Sequence, residues 1–390
     1  MILSAVLTSG FVAMRLSFPL LTLLLATSSA PAFASSPHVM MPPPPVPAGD
    51  EPGPNTVSEP APAPAPAPQP TTQPEPEPEP EAGVGGSFST DDLKAGNAEP
   101  ADPGALPAKD RLVYTSILAA RYNPLGLEER FWIGWQHRLT DKADPLWKDA
   151  NFGIFLNPMI SPALARVGPM IQIQPLTILR FRATYGWFPW FGNFQYMQSY
   201  ESPWSEHAPS DLNRGRDSDE NYATQGHQVE LDLLFQIKVK NIALRNDAQA
   251  FWNKMRLQGN DDVFYDIRID AMVPNGGWSL VNDTDLLFVT DFGLAAGVRG
   301  TVTKAFFPDR VYEQGDPRED PNGPMFRMGP MLAYTFFDRP GSKFNKPTVV
   351  LIPQWNVVHR YRTGRDVHQA IPTLVLAFGF GGELMRFGGE

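Results

Sequence analysis

From His227 to Lys240 the chain alternates with a period of two. Val229, Leu231, Leu233, Phe235, Ile237 and Val239 fall on one face, and Gln228, Glu230, Asp232, Gln236 and Lys238 on the other, with Leu234 the exception. Successive strand residues point to opposite sides, so this run is a strand with one oily and one polar face. Residues 179–187 repeat the pattern, Leu179, Phe181, Ala183, Tyr185 and Trp187 opposing Arg180, Arg182, Thr184 and Gly186. In 131–139, Phe131, Ile133 and Trp135 oppose Gly134, Gln136 and Arg138. No long segment shows the 3.6-residue period of an amphipathic helix. A soluble sandwich alternates in the same way. These strands, however, run well past the usual length of about 5–6 residues.

Composition limits where this pattern can fold. Of 42 prolines, 22 lie between Pro31 and Pro107, whereas of the Phe, Trp and Tyr residues only Phe11, Phe18, Phe33 and Phe88 precede residue 108. The N-terminal part therefore lacks the apolar side chains of a core. Residues 1–107 carry a net charge of −9, and residues 108–390 are nearly balanced. With no basic face, nucleic acid is excluded as a partner class. Cysteine is absent, which excludes disulfides, thiolate metal sites and thiol nucleophiles.

Residues 1–34 read as an export signal. Arg15 supplies the charged start, Leu16–Ala26 the apolar centre and Ala32-Phe33-Ala34 the cleavage pattern, which makes Met14 the better start residue. Residues 35–107 read as a disordered Pro/Ala/Glu-rich periplasmic tail, and 108–390 as the folded domain. Some 70 residues in polyproline II conformation span up to roughly 200 Å. The tail resembles the Pro-rich spacers of periplasm-spanning proteins, and the cell wall is its candidate partner.

Aromatic residues gather at strand ends: Trp187, Phe188, Trp190 and Phe191; Phe306 and Phe307; Tyr334, Phe336 and Phe337. In pattern, 108–390 resembles the outer-membrane β-barrels (porin-like) of Gram-negative bacteria, with no family-specific motif. That resemblance implies an all-β, transmembrane, antiparallel up-and-down barrel in the outer membrane, with aromatic girdles at both interfaces and long loops outside. Twelve strands are expected near 110–122, 130–140, 150–160, 164–175, 177–190, 223–240, 241–256, 262–272, 285–305, 325–338, 346–361 and 368–386. The two longest connections, 191–222 and 306–324, then fall outside, while 273–284 is awkwardly long for an internal turn. Pro169, Pro330, Pro353 and Pro372 must sit at bulges or strand ends. Near the C-terminus, Phe387 is the candidate closing aromatic. A faint echo links Arg166-Val-Gly-Pro-Met170 with Arg327-Met-Gly-Pro-Met331, and Phe152-Gly153 with Phe292-Gly293, each six strands apart.

With the oily face toward lipid, the polar face lines a lumen. The expected ring comprises Arg180 and Arg182, Glu230 and Asp232, Arg245 and Asp247, then Asp266 and Arg268, with Gln249 and Asp270 continuing it. Opposed charges at this density either pair and fill the space or line a water path. Two readings follow: a narrow or gated passive conduit for small polar solutes, with Arg180, Arg182, Glu230 and Asp232 shaping its constriction, or a non-conducting structural or surface-binding barrel using its external loops. A lipid-modifying barrel enzyme is a third. His207, among Ser205, Glu206, Ser210 and Asp211, is the one catalytic candidate, and it reads more simply as part of a polar loop, so no catalytic residue is assigned. Outer-membrane lipid and, at the external loops, lipopolysaccharide are the candidate partners; Arg360, Arg362 and Arg365 between His359 and His368 suit phosphate contact. Asp217, Asp219 and Asn221 begin like a calcium loop, but Tyr222 and Gln228 stand where Gly and Glu are required. Asp316, Glu319 and Asp320 form the other weak cation candidate. No cofactor or metal is expected.

Overall fold

The computed structural model describes residues 106–387. The expected signal, and nearly all of the expected tail, fall on residues 1–105, outside the described residues. The barrel opens with β1 (Asp110–Tyr122) and β2 (Gly126–Arg138). Next come β3 (Asn151–Leu156) continued by β4 (Met159–Ile160), β5 (Ala165–Arg166) continued by β6 (Pro169–Leu176), and β7 (Leu179–Trp190). After a two-residue strand β8 (Ser199–Tyr200) and helix α1 (Pro209–Asp217) come β9 (Thr224–Val239) and β10 (Ile242–Met255). A small hairpin of β11 (Val263–Asp266) and β12 (Ala271–Pro274) precedes β13 (Gly277–Val289), β14 (Leu294–Phe306), β15 (Met325–Thr335), β16 (Asn345–Val358) and β17 (Thr373–Phe387).

Neighbours in sequence pair antiparallel around the sheet, and β1 pairs with both β2 and β17, so the sheet closes. Counting β3/β4 and β5/β6 as one stave each gives twelve. The junctions inside those two staves coincide with Pro158 and with Gly168-Pro169. Phe387 lies opposite Asp110 at the closing seam.

The expected number of strands is therefore met, but two of the expected strands are not staves. Residues 262–272 form most of the β11–β12 hairpin, which belongs to a separate three-stranded sheet with β8. The run 285–305 is two staves, β13 and β14, and the supposed connection 273–284 supplies the start of β13. The turn between them, 290–293, lies inside a nearly continuous apolar run. It is made by Gly293 at φ +94° and by Thr290, whose hydroxyl oxygen accepts from the Leu294 amide at 3.0 Å. One strand lost and one gained leave the total at twelve.

Corrected in this way, the four longest strand-to-strand connections, 191–223, 256–276, 307–324 and 359–372, gather at a single end. The opposite end holds the turns 177–178, 240–241 and 290–293, with 336–344 and 139–150 longer. The outward residues form an oily belt. Leu231, Phe235 and Ile237 on β9, Leu286 and Phe288 on β13, Leu332 and Tyr334 on β15, and Leu376 and Phe378 on β17 are all exposed. An exposed apolar surface that encircles a closed sheet is suited to hydrocarbon rather than water. Trp187 fits the expected girdle at 46% exposure, but Phe188 (0%) and Trp190 (1%) face inward. The end of β7 keeps its alternation, and the structure below explains what those two rings meet.

The prolines sit where no ladder bond is needed. Pro169 opens β6, and Pro372 immediately precedes β17. Between β15 and β16 the pairing runs from Phe326 to Met328 and resumes at Leu332, leaving Pro330 and Pro353 within the gap. Backbones approach closely there: a Cβ on Gly329 would lie 1.9 Å from the Pro353 carbonyl oxygen, and one on Gly168 1.9 Å from that of Tyr185. The first half of the internal echo thus has a shared physical cause, a glycine pressed against the next stave. The second half does not hold, because Phe152-Gly153 lies in β3 and Phe292-Gly293 in a turn. Gly329→Ala should cost about 1–3 kcal/mol through overpacking. Its folded band on a semi-native gel should weaken, while that of Gly300→Ala, whose new Cβ would meet Phe326 at an ordinary 3.4 Å, should persist.

Candidate functional site

The inward faces carry a dense set of charges, only some of it paired as the sequence suggests. Arg180 on β7 reaches Asp232 on β9 at 3.7 Å. Arg182 turns instead to Gln172 on β6, 2.7 Å from its Oε1, and lies 5.0 Å over the Trp132 ring. Glu230 pairs with Arg166 and, at 3.6 Å, with Arg130. Arg245 binds Asp247 at 2.6 Å and Asp285 at 3.0 Å. Arg299 on β14 completes a ladder with Asp283 at 3.2 Å and Asp285 at 2.6 Å. Arg121, Arg130, Asp283, Asp285, Arg299 and Arg327 were missed as site residues, although all lie on inward phases of their strands. Treating 285–305 as one strand hid the first β13–β14 pairs. Leu234, the exception to alternation, is inward and buried.

Asp266 and Arg268 are not on the wall. They belong to the β11–β12 hairpin, every residue of which from Val263 to Asn275 is buried. The hairpin folds into the barrel as a plug. Its apolar residues Phe264, Ile267, Ile269 and Val273 join a core with Phe188, Trp190, Phe251 and Met255 of the staves, and Trp190 meets Phe264 edge-on at 6.2 Å. This is why the end of β7 turns two large rings inward.

The plug's charges are satisfied locally and across to the wall. Arg268 donates through its backbone N–H and Nε to Asp266 Oδ1, each at 3.0 Å, and through Nη1 to Gln228 Oε1 at 3.1 Å; its guanidinium stacks 4.5 Å over Phe188. Arg121 on β1 donates to the Arg268 carbonyl at 2.9 Å and also to that of Ile267. At the hairpin tip Asp270 accepts from Arg362 Nη2 at 2.9 Å and faces His359 Nε2 at 3.2 Å, so the 359–372 loop is tied to the plug. Arg362 also bonds Asn123 in the β1–β2 turn. Arg360 and Arg365, which had suggested a phosphate contact, both reach Glu206. Below the plug, Arg121, Arg130, Arg268, Arg299, Arg327 and Asp283 help line a cavity with about 30 Å³ open to water-molecule centres. That is more than one water needs. A second apolar group on inward positions, including Ile117, Trp132, Leu287, Val350 and Ile352, packs within the barrel as well.

His207 is buried under the loops. Its Nδ1 lies 3.0 Å from the Ser205 carbonyl and 3.5 Å from the Tyr361 hydroxyl, so its contacts are to a backbone oxygen and a phenol rather than to a serine hydroxyl. Ser210 instead bonds Asp366 at 2.5 Å, and Asp211 caps α1 by accepting from the Ala208 amide. Asn221 bonds the Gly192 carbonyl, and Asp316 binds Ser202. Among the described residues no three His, Asp or Glu side chains are arranged to hold a metal.

No protein-family model matches this sequence. A comparison with curated proteins finds no match either. Among solved structures, the chain is similar to the CymD monoaromatic hydrocarbon channel, at 8% identity over 74% of this chain and 92% of that one, with a TM-score of 0.32. It is also similar to an outer membrane channel from Pseudomonas putida F1, at 11% identity over 74% and 100%, TM-score 0.32. A third is the translocator domain of the autotransporter NalP from Neisseria meningitidis, at 10% identity over 72% and 88%, TM-score 0.32. The barrel itself stands on its own closed strand ladder.

Two outcomes follow from this geometry. Arg362→Gln strips Asp270 of its principal partner and should cost about 3–5 kcal/mol, as loss of one member of a buried ion pair does. Urea unfolding of the detergent-solubilised protein, or earlier protease cutting within 256–276, would register it. Burial pushes the His207 imidazole down to about 4, the Ser205 carbonyl opposing this and Arg360 adding to it. Its contribution is complete above the ordinary value near 6.5 and is lost as pH falls toward 4, on the order of 3 kcal/mol in all. Proteolysis of the 191–223 loop should therefore accelerate between pH 6.5 and 4, and His207→Gln should flatten that dependence.

Proposed function

We propose that the protein is an outer-membrane barrel acting as a gated conduit for small polar solutes, and that the β11–β12 hairpin is the gate. The observation that supports this most is the form of the closure. The lumen is shut at the long-loop end by the β11–β12 hairpin, packed with β8, Tyr196, Met197 and Leu212 of the 191–223 loop, and a charged, water-sized space adjoins it. Asp270–Arg362 ties the hairpin to the 359–372 loop, a link that a movement of this loop would release, while the Arg121 contacts hold the hairpin to β1. The oily outer belt supports the membrane setting, and the long-loop end is read as the external face. Lipopolysaccharide is the partner we assign to that rim, and the cell wall the one we assign to the Pro-rich tail. No catalytic constellation enters this reading, since His207 is engaged by a carbonyl and a phenol.

A second reading, a non-conducting surface barrel, is favoured by the inner apolar group, which fills lumen volume independently of the plug. Planar-bilayer recording separates the two. The conduit reading expects rare, small current steps from the unaltered protein and sustained larger ones after residues 263–274 are replaced by a short Gly/Ser link. Silence from both folded proteins would leave the non-conducting barrel.

A further inference from the structure

We propose that the chamber beneath the plug is a binding site for a small free oxyanion, phosphate-like or a short carboxylate, held chiefly by Arg327. Five guanidinium groups line this cavity against a single carboxylate, Asp283. Most of the five are already engaged. Arg130 pairs with Glu128 and Glu230, Arg268 with Asp266, and Arg299 with Asp283 and Asp285, while Arg121 donates to plug and turn carbonyls.

Arg327 differs. Its Nε donates to Gln354 Oε1 at 3.2 Å, and Gln354 is in turn fixed by donating to Thr301 Oγ1 at 2.9 Å. Among the described residues, Arg327 has no acid within ion-pair distance, and its two terminal nitrogens have no protein hydrogen-bond partner. A guanidinium fixed through Nε presents those nitrogens as a fork, which suits two oxygens of one anion. Arg327 is half-buried, and the acids that act on it, Asp283 and Asp270, lie beyond ion-pair distance, so the cost of its desolvation is only partly offset. An anion in the adjoining space, which exceeds one water and falls far short of a nucleotide or sugar, offsets that cost. Because Arg268 lines the same cavity from the plug side, the occupant would bridge gate and wall.

The test is equilibrium binding to the full chain in detergent micelles, which needs no bilayer and so stands or falls apart from conduction. Isothermal titration is run with sodium phosphate and with sodium formate, each against sodium chloride at matched ionic strength, and the urea midpoint is followed in parallel. Saturable binding and a raised midpoint are expected with phosphate or with formate, and the better of the two assigns the oxyanion class. Arg327→Gln should weaken that binding about tenfold or more, the worth of one charge-assisted hydrogen bond, and Arg327→Lys should retain part of it. Chloride reproducing the whole effect, or Arg327→Gln binding as tightly as the unaltered chain, would overturn the site. Should Arg327→Gln fail to fold, the comparison of anions on the unaltered protein decides alone: no saturable oxyanion binding means no site.

Discussion

In hydrocarbon a backbone amide or carbonyl without a partner costs several kcal/mol, and a sheet meets that demand by closing on itself. The pairing of β1 with β17 is that closure. Once the sheet is closed, each stave has one face toward the outside and one toward an enclosed volume. The two-residue alternation then sorts the chemistry: oily side chains outward, charges inward. The exceptions arise from the same rule. Pro169 and Pro372, which cannot donate, stand at stave starts, and Pro330 and Pro353 in the interval where β15 and β16 leave the ladder unpaired.

What the enclosed volume contains follows from its width. A barrel of eight staves is filled by its own side chains, and one of sixteen leaves an aqueous channel. Twelve leave room for a hairpin, and this chain inserts one. Phe188 and Trp190 turn in to meet it, while Gln228, Arg121 and Arg362 approach it from three separate parts of the wall and loops. The lumen is thus a second folding core, with ion pairs where a soluble core would have mostly methyl groups. Such pairs fix geometry more than they add stability, since desolvation offsets much of their attraction.

The wall was legible in the sequence because alternation is a strong signal wherever one face is uniformly oily. Residues 224–239 and 179–190 lie almost where the pattern places them. The interior was harder to read. Tyr265 to Ala271 alternates apolar and charged residues just as a stave does, and nothing local records that both of its faces end up covered by protein. The turn at 290–293 was concealed by the apolar runs on both sides, Leu286–Val289 and Leu294–Ala296, with Thr290-Asp291 and Gly293 its only cues. For the charged residues the alternation gives the phase of those on staves, Arg180, Glu230, Asp232, Arg245 and Asp247, but neither the place of Asp266 and Arg268 nor the ion-pair partners. Pairing depends on register between staves, and Glu230 finds Arg166 and Arg130, from the β5 segment and β2.

The unpaired interval around Pro330 and Pro353 has a mechanical meaning. A sheet resists shear through its rungs, and between Met328 and Leu332 the β15–β16 seam has none. Arg327 stands at the edge of this seam and Gln354 within it, and the two are joined by a side-chain bond across it. Any load passed to the wall through the chamber therefore meets the barrel where the β15–β16 ladder is interrupted and is carried by the rungs on either side, Phe326–Met328 and Leu332–Thr335.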